Sequence, residues 1–323
     1  MTRPWLSVVM PTYNGERYLR ETFESLAVQD ERGFECVVVD GGSTDDTRAI
    51  IDEFSRTLDV RLFVRPECPN WVGKTNFGFG EAAAEHVCML HSDDTWLPGR
   101  AAAVHRALER HPDVALVLNP SLVIDEDGRT VGRWRCPLQP EPTLYSADAL
   151  LEHLIVQNFV AVPAPIFRRD AALAVGGIDG DLWYTGDWDF YLKLARTGIT
   201  LYLDEMLTCF RIHGASLTME GSANLEAFRA QLETVLDRHA PAIESAERRK
   251  AVRRVGAVSN AIDIALAAAV HGSWTRLPGA VAQLAALGPA GWHSYFRDSR
   301  IVERVSSRLR ARGALFAVKR AAT

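Results

Sequence analysis

The sequence predicts an α/β fold built on a mostly parallel sheet. Three observations support this prediction. Short, nearly continuous apolar runs are typical of strands buried on both faces, segments with apolar residues at helical spacing lie between them, and polar, turn-forming residues follow several of the runs. Strands that alternate with helices through short connections form right-handed crossovers and lie parallel. A chain of 323 residues is long enough to bury a large core.

Five segments of the first 120 residues are predicted to be strands, at 6–10, 35–40, 60–64, 86–90 and 114–119. Helices are predicted between them because apolar residues recur there at three- and four-residue spacing. These residues are Tyr18, Leu19, Thr22, Phe23 and Leu26, then Ile50, Ile51 and Phe54, then Ala101, Val104, His105 and Leu108. Residues 1–120 are therefore expected to form a nucleotide-binding half.

Polar segments follow the first, second and fourth predicted strands. They read PTYNG at 11–15, DGGSTDDT at 40–47 and HSDDT at 91–95. Ligands of open α/β sheets bind outside the carboxyl ends of the strands. A ligand site is therefore expected where these three segments meet.

The second of these segments begins with Asp40. Residues 41–46 indicate a tight glycine turn followed by a capped helix start, and capping is the simpler interpretation of Ser43 to Asp46. Because capping is provided there, we expect Asp40 to be free to accept a hydrogen bond from the ring N–H of a uracil- or thymine-type base.

The charge changes sign along the chain. Residues 1–244 hold 22 Lys and Arg against 37 Asp and Glu, a net charge of −15, whereas residues 245–323 hold 14 against 4, a net charge of +10. This asymmetry indicates a boundary near residue 240. A nucleic-acid partner is not expected, because the larger part is strongly acidic and contains no recognisable nucleic-acid module.

Targeting signals are not evident in the sequence. The run AIDIALAAAV at 261–270 is shorter than the roughly 20 residues of a membrane-spanning helix, and residues 1–15 lack the pattern of a signal peptide. A cytoplasmic protein is therefore expected. Its five cysteines are scattered without metal or redox spacing, so we expect them to be reduced and structural.

Five segments taken in order resemble the signatures of inverting family-2 glycosyltransferases with the GT-A fold. They are SVVMPTYNGERYLRETFESLAVQ, VVVDGGSTDDT, LHSDDTWLPGR, GGIDGDLWYTGDWDFYLKLARTG and CFRIHGASLT, within residues 5–218. The resemblance implies a Rossmann-like donor-nucleotide half, 1–120, fused to an acceptor half, 121–218. Residues 219–323 are then expected to be a helical, basic C-terminal extension.

The resemblance implies that the acidic motif after the fourth strand binds a divalent cation, Mn²⁺ or Mg²⁺, together with the donor ribose. Adjacent side chains of an extended segment point to opposite sides, so the two aspartates are not expected to do the same job. By position in the motif, the resemblance implies that Asp94 binds the metal and Asp93 the ribose. His91 stands where the common family pattern Asp-x-Asp-Asp has its first Asp. The alternative interpretation of Asp94 is an exposed helix N-cap.

Other donor contacts are implied by the same resemblance. Thr12 and Tyr13 are expected to contact the base, Tyr13 by stacking, although a lone tyrosine is more often a core residue. Lys74 is a candidate contact for a diphosphate oxygen. Asn76 is expected to be positional, bonding the neighbouring loop.

The second half is expected to supply the catalytic base. Inverting transfer is a single displacement, so the acceptor hydroxyl must lose its proton as it attacks. The resemblance implies that Asp187, the first Asp of GDWD, is this base, with Asp189 as the alternative. A helix-capping Asp would also satisfy this pattern.

The segment TCFRIHGASLT alternates Phe210 and Ile212 with Arg211 and His213, a pattern typical of a half-buried strand. The resemblance implies that Arg211 closes over the diphosphate and that His213 reaches the metal, although a lone histidine is usually structural. Residues 214–226 are expected to form a lid ordered by the donor.

Residues 296–323 carry eight basic and two acidic residues beside an apolar stripe of Ile301, Val302, Val305 and Leu309. This segment is either a helix packed on the catalytic domain or on a second subunit, or an amphipathic anchor on an anionic membrane. An anchor would suit a lipid-linked acceptor.

These observations together predict a metal-dependent inverting glycosyltransferase. It would move a sugar from a UDP- or dTDP-type donor to a glycan or lipid-linked hydroxyl in bacterial surface polysaccharide synthesis, without processivity. Two other classes remain as alternatives: a non-catalytic nucleotide-sugar binding protein, and a nucleotidyltransferase. The second is disfavoured because PTYNGERY holds one glycine and no basic phosphate loop.

Overall fold

The computed structural model describes residues 3–68, 70–139, 143–214, 224–307 and 309–310. The first half alternates strands and helices as the sequence predicts. Its elements are β1 (Leu6–Thr12), α1 (Glu16–Ala27), β2 (Phe34–Asp40), α2 (Thr47–Phe54), β3 (Asp59–Val64), α3 (Trp71–Glu81), β4 (His86–Met89), β5 (Thr95–Trp96) and α4 (Arg100–Arg110).

The rest of the chain mixes short strands with helices and ends in helices. The mixed part contains β6 (Leu116–Leu118), β7 (Ser121–Ile124), β8 (Thr130–Trp134), β9 (Thr143–Tyr145), α5 (Ala147–Leu154), β10 (Ile166–Arg168), α6 (Arg169–Ala174), α7 (Gly186–Ala195), β11 (Thr200–Tyr202) and β12 (Thr208–Arg211). The helical part contains α8 (Leu225–His239), a 3₁₀ turn (Ala240–Ala242), α9 (Ala246–Val270), α10 (Leu277–Ala285), α11 (Gly288–Ser299) and the helical residues 301–307.

The main sheet has eight strands in the order β3-β2-β1-β4-β10-β6-β11-β9. Strands β1 to β4 pair in parallel, and β10 enters antiparallel between β4 and β6. A second sheet, in the order β5-β12-β7-β8, was not anticipated from the sequence. The predicted α/β class with a mostly parallel sheet and C-terminal helices is confirmed.

Apolar residues cover both faces of the main sheet. Val9 and Val39 face one hydrophobic cluster, which contains α3, α5, α7 and α8, whereas Val8 and Val38 face the other, which contains α1, α2 and α4. Burial on both faces explains why the strands read as continuous apolar runs instead of alternating ones. The sheet is thereby fixed between two helical layers, with its strand ends free to carry polar groups.

The register of the sheet determines where the predicted site segments meet. Thr12 at the end of β1 lies opposite Asp40 at the end of β2, and β4 runs parallel to β1 on its other side. The three polar segments therefore leave the sheet at one edge, as expected.

Two observations bear on the C-terminal part. Helix α8 packs through Phe228, Leu232 and Val235 into the same cluster as α7, so this helix belongs to the core of the catalytic region although it follows residue 218. Helices α9, α10 and α11 form a further cluster around Ala265 and Tyr295. The change in charge sign near residue 240 coincides with the passage from the first group to the second.

Asn76 on α3 connects the two halves. Its side-chain Nδ2 donates to the backbone carbonyl of Ile178 (2.8 Å), and its Oδ1 accepts from the backbone amide of Ile178 (2.9 Å). This reciprocal pair fixes the loop before α7 against α3, which is the positional role that the sequence predicted.

All five cysteines are free, and four of them are buried. Of the helices that the structure describes, none has both the length and the apolar character to cross a bilayer.

Candidate functional site

Residues 91–94 form a turn after β4. The amide of Asp94 donates to the carbonyl of His91 at 3.2 Å, and one ligand atom from each of His91, Asp93 and Asp94 lies within 4.8 Å of the others. The expectation that Asp93 and Asp94 point to opposite sides is therefore wrong, because the segment is a turn and not an extended strand. We call His91, Asp93 and Asp94 the acidic triad.

Arg211, at the end of β12, stabilises this turn through hydrogen bonds to Asp93 and Asp94. Its backbone amide donates to Asp94 Oδ1 (2.9 Å), and its guanidinium donates to the carbonyls of Asp93 (2.8 Å) and Asp125 (3.0 Å) and to Glu21 Oε2 (2.5 Å). The guanidinium carbon also lies 4.7 Å from the centre of the Tyr18 ring. Arg211 is fully buried.

This position corrects the sequence-based expectation for Arg211. Phe210 and Ile212 were expected to be the buried face of the strand, yet Arg211 is the buried residue and Phe210 is partly exposed. Because its donors are used by protein groups, Arg211 supports the acidic triad in this structure. Hydrophobic alternation failed here because a buried arginine with satisfied hydrogen bonds is indistinguishable by pattern from an exposed one.

His213 lies next to the triad but is not one of its members. Its Nε2 donates to Asp93 Oδ2 at 2.9 Å, and its ring centre lies 5.0 Å from that of Tyr18. The sequence assigned a metal-binding role to His213, whereas within the described residues it is His91 that completes a group of ligand atoms. His213 orients Asp93. The lid expected at 214–226 lies largely outside the described residues.

The pKa values of the triad respond to burial and to mutual charge. Burial alone would raise the pKa of Asp93, but the hydrogen bond from His213 and the neighbouring His91 hold this pKa below its ordinary value. Burial and the charge of Asp93 raise the pKa of Asp94 well above its ordinary value. Burial lowers the pKa of His91, which favours the neutral imidazole that ligates metals.

The triad fits a divalent cation. Two carboxylates and one imidazole converge, and His91 Nε2 is buried with no hydrogen-bond partner among the described residues. Paired buried carboxylates repel each other, and a cation between them removes that repulsion. His91, Asp93 and Asp94 are thus the residues that could hold Mn²⁺ or Mg²⁺.

Tyr13 and Lys74 lie beside each other, near the end of β1 and the turn at Gly41. The Tyr13 side chain is 58% exposed, so it is not a core aromatic. The Lys74 Nζ atom lies 5.6 Å from the centre of the Tyr13 ring, and a Cβ atom added at Gly41 would stand 2.9 Å from this Nζ. The absence of a side chain at Gly41 therefore leaves room for the Lys74 ammonium group. Thr12 is buried, and its Oγ1 has no hydrogen-bond partner among the described residues.

Asp40 has a different environment from the one expected. Its carboxylate accepts from the backbone amide of Ser43 (3.1 Å), from the Ser43 hydroxyl and from Arg48 Nε (3.0 Å), and it is fully buried. The premise that capping elsewhere leaves Asp40 free is wrong, since Asp40 itself closes the turn. A base could reach this carboxylate only in competition with the partly exposed Arg48.

Asp187 is half-buried in the first turn of α7. Its carboxylate accepts from Asn158 Nδ2 (3.1 Å) and from the backbone amide of Trp188 (2.8 Å). Burial raises the pKa of Asp187 to about 6, despite these two hydrogen bonds, which lower it. Such a carboxylate is ionised at neutral pH and is still basic enough to accept a proton.

Asp189, two residues further on, is a structural residue. Its carboxylate contacts Lys193 (2.7 Å), His239 (2.8 Å) and Arg238 (2.9 Å), and it is fully buried. Burial alone would raise its pKa, but the bonds from His239 and Lys193 bring the pKa of Asp189 to about 2. The structure thus gives different environments to the two carboxylates that the sequence could not distinguish.

Tyr191 lies one helical turn after Asp187. Its side chain is fully buried, its hydroxyl has no hydrogen-bond partner among the described residues, and its pKa is raised by burial and by the charges of Asp187 and Asp94. Tyr191 therefore senses both Asp187 and the acidic triad. The sequence analysis did not identify Tyr191, although its four-residue spacing from Asp187 was a usable signal. Asn158 lies in a loop, and no sequence pattern indicated that it would contact Asp187.

Replacing Asn158 with Ala is expected to move the acid limb of the pH profile of kcat/KM upward by about one pH unit. The Asn158 amide stabilises the ionised carboxylate of Asp187, so its removal raises the pKa of this carboxylate further. Gln157→Ala is the matched control, because Gln157 bonds to Ser259 instead. A limb that stays in place in Asn158→Ala would contradict this role.

Comparisons with known proteins agree with this geometry. The model of the family described as glycosyl transferase family 2 matches residues 7–173, just over half of the chain. The chain therefore belongs to glycosyl transferase family 2 and is a glycosyltransferase that uses a nucleotide sugar.

Its relatives include an uncharacterised glycosyltransferase of Rickettsia typhi, 26% identical over 231 residues that cover 70% of each chain. An uncharacterised protein of Mycobacterium tuberculosis is 26% identical over 250 residues, 72% of this chain and 68% of that one.

Two solved structures show the same fold. S. aureus TarS 1–349 in complex with UDP-GlcNAc has a TM-score of 0.65 at 16% identity and covers 98% of this chain and 92% of its own. The mannosyltransferase PcManGT from Pyrobaculum calidifontis, in complex with GDP-Man and Mn²⁺, has a TM-score of 0.54 at 18% identity and covers 96% and 88%. The GT-A fold expected from the sequence is confirmed.

Proposed function

We propose that the protein transfers a sugar with inversion from a UDP- or dTDP-type donor, with Asp187 as the general base and a divalent cation in the acidic triad. The observation that carries this proposal is the pairing of two acidic centres around Tyr191. One is a single carboxylate whose pKa is raised to about 6, and the other is a cluster of three ligand atoms within 4.8 Å.

The proposed base fits a single displacement. Asp187 would accept the proton of the acceptor hydroxyl as the oxygen attacks the anomeric carbon, and a pKa near the working pH suits such a base. Asn158 keeps the Asp187 carboxylate oriented, and the amide of Val160 donates to Asn158 Oδ1 (3.1 Å), which fixes the Asn158 amide in turn. The three basic partners of Asp189 favour Asp187 over Asp189 for this role.

The cation would be held by His91, Asp93 and Asp94, with His213 orienting Asp93. A bound divalent cation supplies positive charge to the diphosphate leaving group. The nitrogen ligand favours Mn²⁺ over Mg²⁺, which prefers oxygen ligands throughout. Arg211 would keep the turn that carries the acidic triad in place.

The remaining donor contacts are proposed from position. Tyr13 presents an exposed ring for stacking on the base, Thr12 and Asp40 lie at the adjacent strand ends, and Lys74 is placed to contact a diphosphate oxygen. Burial lowers the pKa of Lys74, while Asp40 opposes this shift. Because TarS is solved with UDP-GlcNAc, a uridine donor is the first to test.

The acceptor is proposed to be a hydroxyl of a glycan or lipid-linked glycan in bacterial surface polysaccharide synthesis. A peripheral position on the cytoplasmic membrane, through the basic C-terminal helices, would bring the enzyme to such an acceptor. Self-association through these helices is the other arrangement to test.

The experiment that tests the donor site is a thermal-shift panel of UDP, dTDP and GDP and their sugars, with and without Mn²⁺. A ligand at 100 times its Kd should stabilise the folded protein by about 2.7 kcal/mol. We expect stabilisation by one nucleotide class, dependent on metal and abolished by Asp94→Asn. Asp113→Asn, at an exposed position, is the matched control.

Two outcomes would count against the proposal. Equal stabilisation with and without metal would remove the cation from the site. Donor binding without any donor hydrolysis or transfer would indicate a nucleotide-sugar binding protein instead of an enzyme.

A further inference from the structure

Helices α10 and α11 belong to the longest uncharged stretch of the basic C-terminal part. Residues 277–296 read LPGAVAQLAALGPAGWHSYF and include no Asp, Glu, Lys or Arg. Basic residues border the stretch at Arg276 and Arg297. Surface helices of globular proteins normally present charged residues on the face that points away from the core.

Only one face of this helix pair is buried. Ala280, Leu287 and Tyr295 pack against α9 in the C-terminal cluster. On the opposite side, Val281 is 54% exposed, Trp292 is 40% exposed and Phe296 is 51% exposed. The residues that the structure describes leave these side chains uncovered, and exposed apolar surface of this kind is typical of interaction sites.

The exposed residues form a connected surface. Pro289, Trp292 and Phe296 follow the spacing of one face of α11, and Pro278, Val281 and Ala285 follow that of one face of α10. Trp292 Nε1 donates to the carbonyl of Leu284 at 2.7 Å, which ties the indole to the end of α10. Trp274, 65% exposed, precedes α10. We call this the outer face of α10–α11.

The size and charge of the outer face identify its partner. With 9 and 12 residues, α10 and α11 are about 14 Å and 18 Å long, too short to cross a hydrocarbon core of about 30 Å but suited to lie in its surface layer. Tryptophans beside arginines are typical of membrane–water interfaces. The net charge of +10 in residues 245–323 complements anionic headgroups, which would repel the −15 of the rest.

We propose that the outer face of α10–α11 docks the enzyme on an anionic lipid bilayer. The proposal deepens the membrane contact in the proposed function and moves it from the terminal basic segment to these two helices. The terminal stripe does not form one exposed face, because Val302 and Leu309 are exposed whereas Ile301 packs against the C-terminal cluster and Arg304 pairs with Asp263 (2.9 Å).

The test is co-sedimentation of the full chain with vesicles of phosphatidylcholine alone and of phosphatidylcholine mixed with phosphatidylglycerol. Wild type is expected to bind the anionic vesicles, more weakly at high salt. The double variant Val281→Glu, Phe296→Glu should lose binding by roughly tenfold or more, since it places charge in the apolar layer. Val28→Glu, Leu173→Glu is the matched control, with two exposed apolar residues of the catalytic region.

Three results would overturn the proposal: no binding by wild type, equal losses in both double variants, or a wild-type dimer in lipid-free solution that the first variant converts to a monomer without any vesicle binding. The last result would make the outer face a contact between copies. Donor-induced thermal shifts measured on the same proteins separate this proposal from the proposed function, because docking should fail without affecting donor binding.

Discussion

Replacing Asp187 with Asn is expected to lower kcat by about three orders of magnitude while leaving donor affinity unchanged. Asn preserves the shape of the side chain and its position in the first turn of α7, but an amide cannot accept the proton of the acceptor hydroxyl. Transfer rates measured at saturating donor and acceptor, together with donor titrations, test this expectation. A variant that retains a tenth or more of the wild-type kcat would exclude Asp187 as the base.

The pH profile gives a second test of the same carboxylate. Burial raises the pKa of Asp187 to about 6, and only the ionised form accepts a proton. We therefore expect kcat/KM of the wild type to fall as the pH drops below about 6, and this limb to be missing from the residual activity of Asp187→Asn. An unperturbed aspartate would place the limb near pH 4.

Asp189→Asn is the matched control, because the two residues share one helix. Asp189 is fully buried, pairs with the half-buried Lys193 and the exposed Arg238, and bonds to the buried His239, so its loss leaves positive charge uncompensated. We expect a decrease of about 3 kcal/mol in the free energy of unfolding and a near-normal kcat for the folded enzyme. Urea unfolding and kinetics below the unfolding transition separate these effects. Unchanged stability together with a large loss of kcat in Asp189→Asn would assign the base to Asp189 instead of Asp187.

The second large effect concerns Arg211. Arg211→Met is expected to lower the free energy of unfolding by about 3 kcal/mol, because the carbonyl of Asp93 loses this donor and that of Asp125 keeps only the amide of Gly128, at roughly 1 to 3 kcal/mol for each lost bond. The turn that carries the acidic triad would also be released, so metal-dependent donor binding should weaken in the same variant.

Glu21→Gln removes the ion pair of Arg211 with Glu21 but leaves the hydrogen bonds of Arg211 to the carbonyls of Asp93 and Asp125. The Glu21 side chain is half-exposed, so we discount its ion pair with Arg211 and expect a loss of less than about 1 kcal/mol. If Arg211 contacted the diphosphate, as the sequence suggested, Arg211→Met would weaken donor binding at unchanged stability. Urea midpoints and donor titrations on the two variants decide between these roles.

Much of the fold was predictable because the first half obeys simple rules. The predicted strands at 35–40 and 60–64 correspond to β2 and β3. Strand β2 is buried throughout, whereas β3 is a partly exposed edge strand that was still recognisable as a nearly continuous apolar run. The second sheet was missed because its strands are short, with two to five residues each.

The site was predicted in outline and corrected in detail. Asp187 and the segment 91–94 were identified from the sequence, and burial together with the charges of Asp187 and Asp94 raises the pKa of Tyr191. The assignments of Arg211 and His213 changed, and the environment of Asp40 differed from the expected one, because each depended on which hydrogen bonds the side chain already makes. Asn158 comes from a loop with no periodic pattern, and no local signal connects it to Asp187.

The sequence by itself determined which segments become buried strands, at which edge the polar segments emerge and which carboxylates are available for chemistry. These properties depend on local spacing and on apolar burial, which neighbouring residues encode. Only the tertiary structure decided that Asp187 remains proton-accepting while Asp189 is neutralised, that His91 joins the triad, and that Arg211 is internal. Such differences arise from desolvation and from partners as distant in sequence as Asp189 and His239, and these act only once the chain is folded.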